Sequence, residues 1–261
     1  MITAAVVPVG FVDGYRATLR LCLERICAEF DAVYLPLTTR KDAGWFDWLP
    51  DNAHLISDRR TWFPEIGGQS YYVPQMVATS TDVGWHEARH GGADQIVFMF
   101  CNCYVTPDAA AYLRQPVDGL GYVHRCDSLS GVVFHADKMW PYILRADSDV
   151  QFGLDGITYD GKPTPWIAGH WPEMDSVAVI DLPLELPLSD YARRMNFIRC
   201  YHDLVPKRRA EFVWSDWKKY FTDKYSRKHR SDRPLPFDLD TSGFVSRQVL
   251  AELEMVGCLT G

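Results

Sequence analysis

Residues 95–100 read Gln95-Ile96-Val97-Phe98-Met99-Phe100, five apolar side chains in succession after one polar one. Side chains along a strand alternate between the two faces of a sheet, so a run with no polar position fits a strand covered on both sides. Such a strand needs apolar layers above and below it, and the flanking sequence offers helices. Residues 4–9 are a second apolar, β-branched run, punctuated by Pro8 and Gly10. Residues 15–30 place Leu19, Leu23, Ile26 and Phe30 on one helical side, and residues 32–37 are strand-like again. Strand, helix, strand in that order predicts a parallel crossover unit, right-handed as such units almost always are. The expected class is α/β, with a mainly parallel sheet flanked by helices.

Further elements follow from local signals. Residues 52–57 predict a third strand and residues 58–72 a loop. Residues 73–90 predict one or two helices, stopped by Gly91-Gly92. Thr106 is placed to cap a helix that has Pro107 at its first position and runs to Leu113. Residues 121–124 and 131–135 read as short strands, and 177–182 as a late one. Between them, residues 147–172 are rich in Asp, Gly, Pro and Trp and read as an ordered loop region that carries function.

Of the 261 residues, 47% are hydrophobic and 23% charged, which excludes a disordered chain, a collagen-like repeat and a heptad rod. Seven cysteines, an odd number without a CxxC pair, argue for a reduced setting rather than a disulfide framework. The start lacks a basic stretch before its short apolar run, and no apolar segment is long enough to span a bilayer, so a cytoplasmic location is expected. Charge is strongly segregated. Residues 193–233 carry thirteen Lys/Arg against five Asp/Glu, a net +8, which leaves −15 on the rest of a chain of net charge −7. The expected division is an acidic α/β domain over residues 1–190 and a basic, largely helical appendage over 191–261.

Three stretches carry a family resemblance. Ala5-Val6-Val7-Pro8-Val9-Gly10-Phe11-Val12-Asp13 is an opening strand ending in a Pro-containing loop before a helix. Cys101-Asn102-Cys103-Tyr104-Val105-Thr106-Pro107-Asp108 follows the apolar run and leads into a Pro-Asp helix start. Asp147-Ser148-Asp149-Val150-Gln151-Phe152-Gly153 is an acidic block, with Gly161 further on. Together these resemble a GT-A-fold, Rossmann-like glycosyltransferase of the inverting, family-two kind over roughly residues 4–182. Counting back from Pro107, the two carboxylates of that family's Asp-x-Asp motif fall on Phe100 and Asn102, so the motif reads Phe-Cys-Asn here. Leu35-Pro36-Leu37-Thr38-Thr39 stands where the family has an Asp after its second strand.

The resemblance implies a nucleoside-diphosphate sugar as donor and transfer to an acceptor hydroxyl with inversion. It implies donor contacts from Pro8, Gly10, Asp13, Arg59, Cys101 and Asn102. It also implies Mg²⁺ or Mn²⁺, weakly held because Asn102 offers a neutral oxygen, with His170 as a second candidate ligand. Asp149 is the expected general base and Asp147 its alternate. A helix N-cap is the structural alternative for Asp149, and small apolar fillers for Cys101 and Cys103. Arg59-Arg60 and Lys207-Arg208-Arg209 are candidate phosphate contacts, and residues 193–233 can serve a polyanionic acceptor such as DNA. Two rival readings stand beside this one. His86-Glu87-Ala88-Arg89-His90 is a literal HExxH, the pattern of a zinc metallopeptidase. The degraded acidic motif equally suits a catalytically inactive binding module on the same fold.

Overall fold

The structure is a computed structural model; it describes all residues except 11, 64, 67–68, 71–73, 154–155, 160, 165–177, 193–213 and 258–261. The strands in chain order are β1 (Thr3–Val6), β2 (Ala32–Pro36), β3 (Ala53–Ile56), β4 (Glu65–Ile66), β5 (Gln69–Ser70), β6 (Gln95–Phe98), β7 (Cys103–Val105), β8 (Leu120–Leu129), β9 (Val132–Arg145), β10 (Val150–Gly153), β11 (Gly156–Tyr159), β12 (Lys162–Thr164), β13 (Ala178–Asp181) and β14 (Arg230–Pro234). The helices described from end to end are α1 (Val12–Glu29), α2 (Pro74–His90), α3 (Pro107–Leu113), α4 (Trp214–Tyr225) and α5 (Val245–Met255).

The main sheet has the order β3-β2-β1-β6-β9-β8-β13-β7. Strands β3, β2, β1 and β6 are mutually parallel, as the crossover pattern predicts. Beyond β6 the sheet is mixed: β6–β9, β9–β8 and β13–β7 are antiparallel and β8–β13 is parallel. The expectation of a mainly parallel sheet is therefore corrected. The α/β class and the Rossmann-like half hold, but residues 120–145 form one long hairpin rather than two short strands. Ser130 and Gly131 turn it, both at positive φ (50° and 90°), the backbone that a two-residue hairpin turn demands.

The hairpin divides the sheet into two levels. The β9 residues Tyr142 to Arg145 pair with β6, whereas Val132 and Phe134 pair with β14. Register shifts opposite both sides of His124 separate these levels: β9 carries extra residues between Tyr142, Met139 and His135, and such bulges bend a strand. Strand β14 thus occupies the flank of β9 that β6 leaves free past its C-terminal end.

The described residues from 214 to 257 join this body. Strand β14 extends the main sheet, and Phe221, Tyr225, Val245, Val249 and Leu253 lie in the same buried cluster as Leu23 of α1, Val7 and Met99. Among the described residues the basic segment is packed into the fold rather than hung beside it. The other face of β1 and β6 packs Trp85 and Ala88 of α2 on Val6, Ile96 and Phe98. Helix α2 ends as its glycines predict, with the Gly91 amide donating to the Glu87 carbonyl and Gly92 at φ 83°. Thr106 caps α3 by accepting from the Ala109 amide at 3.2 Å. Strands β10, β11 and β12, within a stretch read from sequence as loop, form a three-stranded antiparallel sheet whose Phe152 and Ile157 pack near Trp85.

Candidate functional site

The C-terminal ends of β1 and β2 are held close together. Past β1, the Val9 amide donates to the Pro36 carbonyl and the Thr38 amide to the Val9 carbonyl. A Cβ on Gly10 would stand 2.0 Å from Thr38 Oγ1, so any larger residue at position 10 displaces that hydroxyl. The segment after β3 closes over the same place: Thr61 Oγ1 donates to the Leu37 carbonyl at 2.5 Å and the Phe63 amide donates to the Thr38 carbonyl at 2.7 Å. Thr38 Oγ1 and the neighbouring Trp62 Nε1 are shielded from solvent, yet neither has a hydrogen-bond partner among the described residues. Buried polar groups are normally satisfied, so the orphan Thr38 hydroxyl at the strand ends points to a ligand or water that completes it.

Past the end of β6 lies a cluster of charges. Asn102 Nδ2 donates to Asp181 Oδ1 at 2.7 Å, joining the turn after β6 to the last residue of β13. Arg125 stands between two carboxylates, 3.6 Å from Asp181 and 3.3 Å from Asp127. Lys228, just before β14, closes an ion pair with Asp127 from the other side. Side chains of Asp127 and Lys228 are 1% and 7% exposed, so these charges are held away from water.

Their acidities diverge. Burial pushes Asp181 up to about 6, and Arg125 only partly offsets that. Asp127 also feels burial, but Arg125, Lys228 and Lys224 outweigh it and hold its carboxyl below the usual range. Burial pulls the Lys224 ammonium down, with Asp127 opposing. A carboxyl raised toward neutrality, beside a partner kept ionised, is the arrangement that suits a group exchanging protons near pH 7. Asp181 was not a candidate from sequence, where it reads as a polar break in the apolar stretch 177–188.

The sequence-derived candidates fall in several places. Pro8, Gly10 and Asn102 lie at the C-terminal strand ends, with Cys101 in the turn beside Asn102 and Asp13 one residue into α1. Arg59 is exposed in a short 3-10 helix capped by Asp58, just before Thr61, on the same side. Asp147 and Asp149 are not brought to these residues. Gln95 pairs with Arg145 and the Ala146 amide donates to the Asp94 carbonyl, so the acidic block follows the N-terminal end of β6. The length of β6 alone, about 10 Å at the usual rise of a strand, separates the two ends. Asp147 is exposed and paired with Arg145 at 2.6 Å, which lowers its pKa, and both line a small cleft of about 280 Å³ with Met1, Asp94 and Val117. Asp149 is exposed just before β10. His170 and Lys207-Arg208-Arg209 lie outside the described residues.

A divalent cation fits the described residues poorly. Mg²⁺ and Mn²⁺ take several oxygen ligands, carboxylates above all. Here a single carboxylate, Asp181, reaches Asn102, and its two oxygens already face the Asn102 amide and Arg125. No group of three His, Cys, Asp or Glu able to hold a metal occurs among the described residues. The HExxH segment is the exposed C-terminal turn of α2, with His86 3.7 Å from Asp82 and no third ligand among those residues. The thiols of Cys22 and Cys103 are buried and pushed well above the usual cysteine range, as packing groups are.

The site thus belongs to a Rossmann-like α/β protein with its polar groups gathered where parallel strands end. No family model and no curated protein matches the sequence. Among solved structures the chain is similar to that titled "Crystal structure of S. aureus TarS 1-349", at 13% identity and a TM-score of 0.36, over 93% of this chain and 77% of that one. At that score the likeness establishes neither a fold nor an activity. No described helix is long and apolar enough to cross a membrane.

Proposed function

We propose that the protein is a glycosyltransferase that moves a sugar from a nucleoside-diphosphate sugar to an acceptor hydroxyl, with inversion. The observation that carries this reading is the buried, unpartnered Thr38 hydroxyl against Gly10 at the joined ends of β1 and β2, because open α/β sheets bind nucleotides at the carboxyl ends of their parallel strands. The nucleoside is placed against Gly10, Thr38 and the Thr61–Phe63 segment, with Arg59 bordering it. The resemblance in the opening strand and the Pro107 frame supports the same placement.

In the reaction, the acceptor oxygen forms a bond to the anomeric carbon as that carbon's bond to phosphate breaks. The electron pair leaves with the nucleoside diphosphate, and the acceptor proton passes to a carboxylate. Asp181 is not that base: its two oxygens face the Asn102 amide and Arg125, on the side of the leaving phosphate. Asn102 orients Asp181 by donating to it.

The test is a panel of nucleoside-diphosphate sugars, read by thermal shift and by release of nucleoside diphosphate. One donor that stabilises the protein and turns over supports the proposal. A donor that binds without turnover favours the inactive binding module, to which the Phe-Cys-Asn sequence also points. No donor binding contradicts both.

A further inference from the structure

The charges around Asn102 that suit a metal ion poorly suit a phosphate well. Arg125, Lys224 and Lys228 face Asp127 and Asp181, three cations against two carboxylates. Asp127 is matched by Lys228 and Arg125. Lys224 makes no ion pair among the described residues; its ammonium lies 5.3 Å from the centre of the Tyr225 ring. The Arg125 Nε–H is buried without a hydrogen-bond partner among those residues. One cation and one guanidinium donor are thus left over. The fold also explains how they reach the site. Pairing of β14 with the upper part of β9 carries Lys228 into the level beyond the end of β6, where Asn102 begins the next turn.

We propose that Arg125, Lys224 and Lys228 take the donor's diphosphate directly, in the place of a divalent cation; the proposal rests on the glycosyltransferase reading above. A guanidinium offers paired N–H donors that match phosphate oxygens, and a lysine offers a point charge. Fixed cations aimed at a leaving diphosphate stabilise its growing charge as a metal ion does. Asp127 and Asp181 hold Arg125 and Lys228 in place before the ligand arrives.

The experiment is calorimetric titration of the full chain with UDP, GDP and CDP, in EDTA and again in Mn²⁺. The expected result is binding of one of them with the same affinity under both conditions. Lys224→Met, which removes a partly exposed charge that anchors no carboxylate, should weaken that binding about tenfold and leave binding of the uncharged nucleoside unchanged. Arg125→Lys, which keeps the charge but loses the paired donors, should weaken it as well. Binding that appears only with Mn²⁺, or Lys224→Met binding as well as the parent, overturns the proposal and leaves the glycosyltransferase reading standing. No nucleoside diphosphate binding in either condition overturns that reading and the proposal with it.

Discussion

Replacing Asp181 with Asn should stabilise the protein at alkaline pH. Asp181 is 6% exposed, and burial raises its pKa from 3.8 to about 6. A raised carboxyl binds its proton more tightly when folded than when unfolded. Below the unfolded value both states are protonated and ionisation costs nothing. Between about pH 4 and pH 6 the unfolded chain ionises first, so stability falls as pH rises, and above that window the cost is constant. A shift from 3.8 to about 6 corresponds to about 3 kcal/mol. Asparagine resembles the protonated acid, keeps an oxygen for the Asn102 amide and escapes this cost. Urea unfolding at about pH 4 should show the two proteins alike, and at about pH 8 should favour the variant by up to about 3 kcal/mol. A variant less stable than the parent at high pH would show that the Arg125–Asp181 pair outweighs burial, and would refute the reasoning.

Other expectations are simpler to check. Lys228→Met leaves Asp127 buried with Arg125 as its remaining ion-pair partner among the described residues, and should cost about 3–5 kcal/mol in denaturant unfolding. Thr106→Ala removes the α3 cap and should cost about 1 kcal/mol by the same assay. Asp149→Asn and Asp147→Asn should leave sugar transfer unchanged in a turnover assay, because both residues stand at the other end of β6. Gly10→Val should abolish nucleotide binding with far-UV circular dichroism retained, because its side chain meets the Thr38 hydroxyl.

The parts of the fold that sequence revealed are those set by local chemistry. An apolar run marks β6, a glycine pair ends α2, and Thr106-Pro107 starts α3. The Ser130-Gly131 turn was readable in principle, but charged residues such as Arg125, Asp127 and Asp137 on both sides of it hide the long hairpin. Gly10 and Asn102 reached the site because the strand frame alone places them. Asp181 and Lys228 did not, because their partners are 79 and 101 residues away and no local pattern announces such pairs. Asp149 was drawn into the reading by a short acidic block, whereas strand direction decides which end of the sheet it occupies, and β9 runs antiparallel to β6.

The central claim, that a nucleoside-diphosphate ligand binds across the C-terminal ends of β1, β2 and β6, is tested most directly by a crystal structure with bound nucleoside diphosphate. The expected density places the nucleoside against Gly10 and Thr38 and the phosphates on Arg125 and Lys224. Density instead in the cleft between Asp94, Arg145 and Asp147, at the N-terminal strand ends, would contradict it.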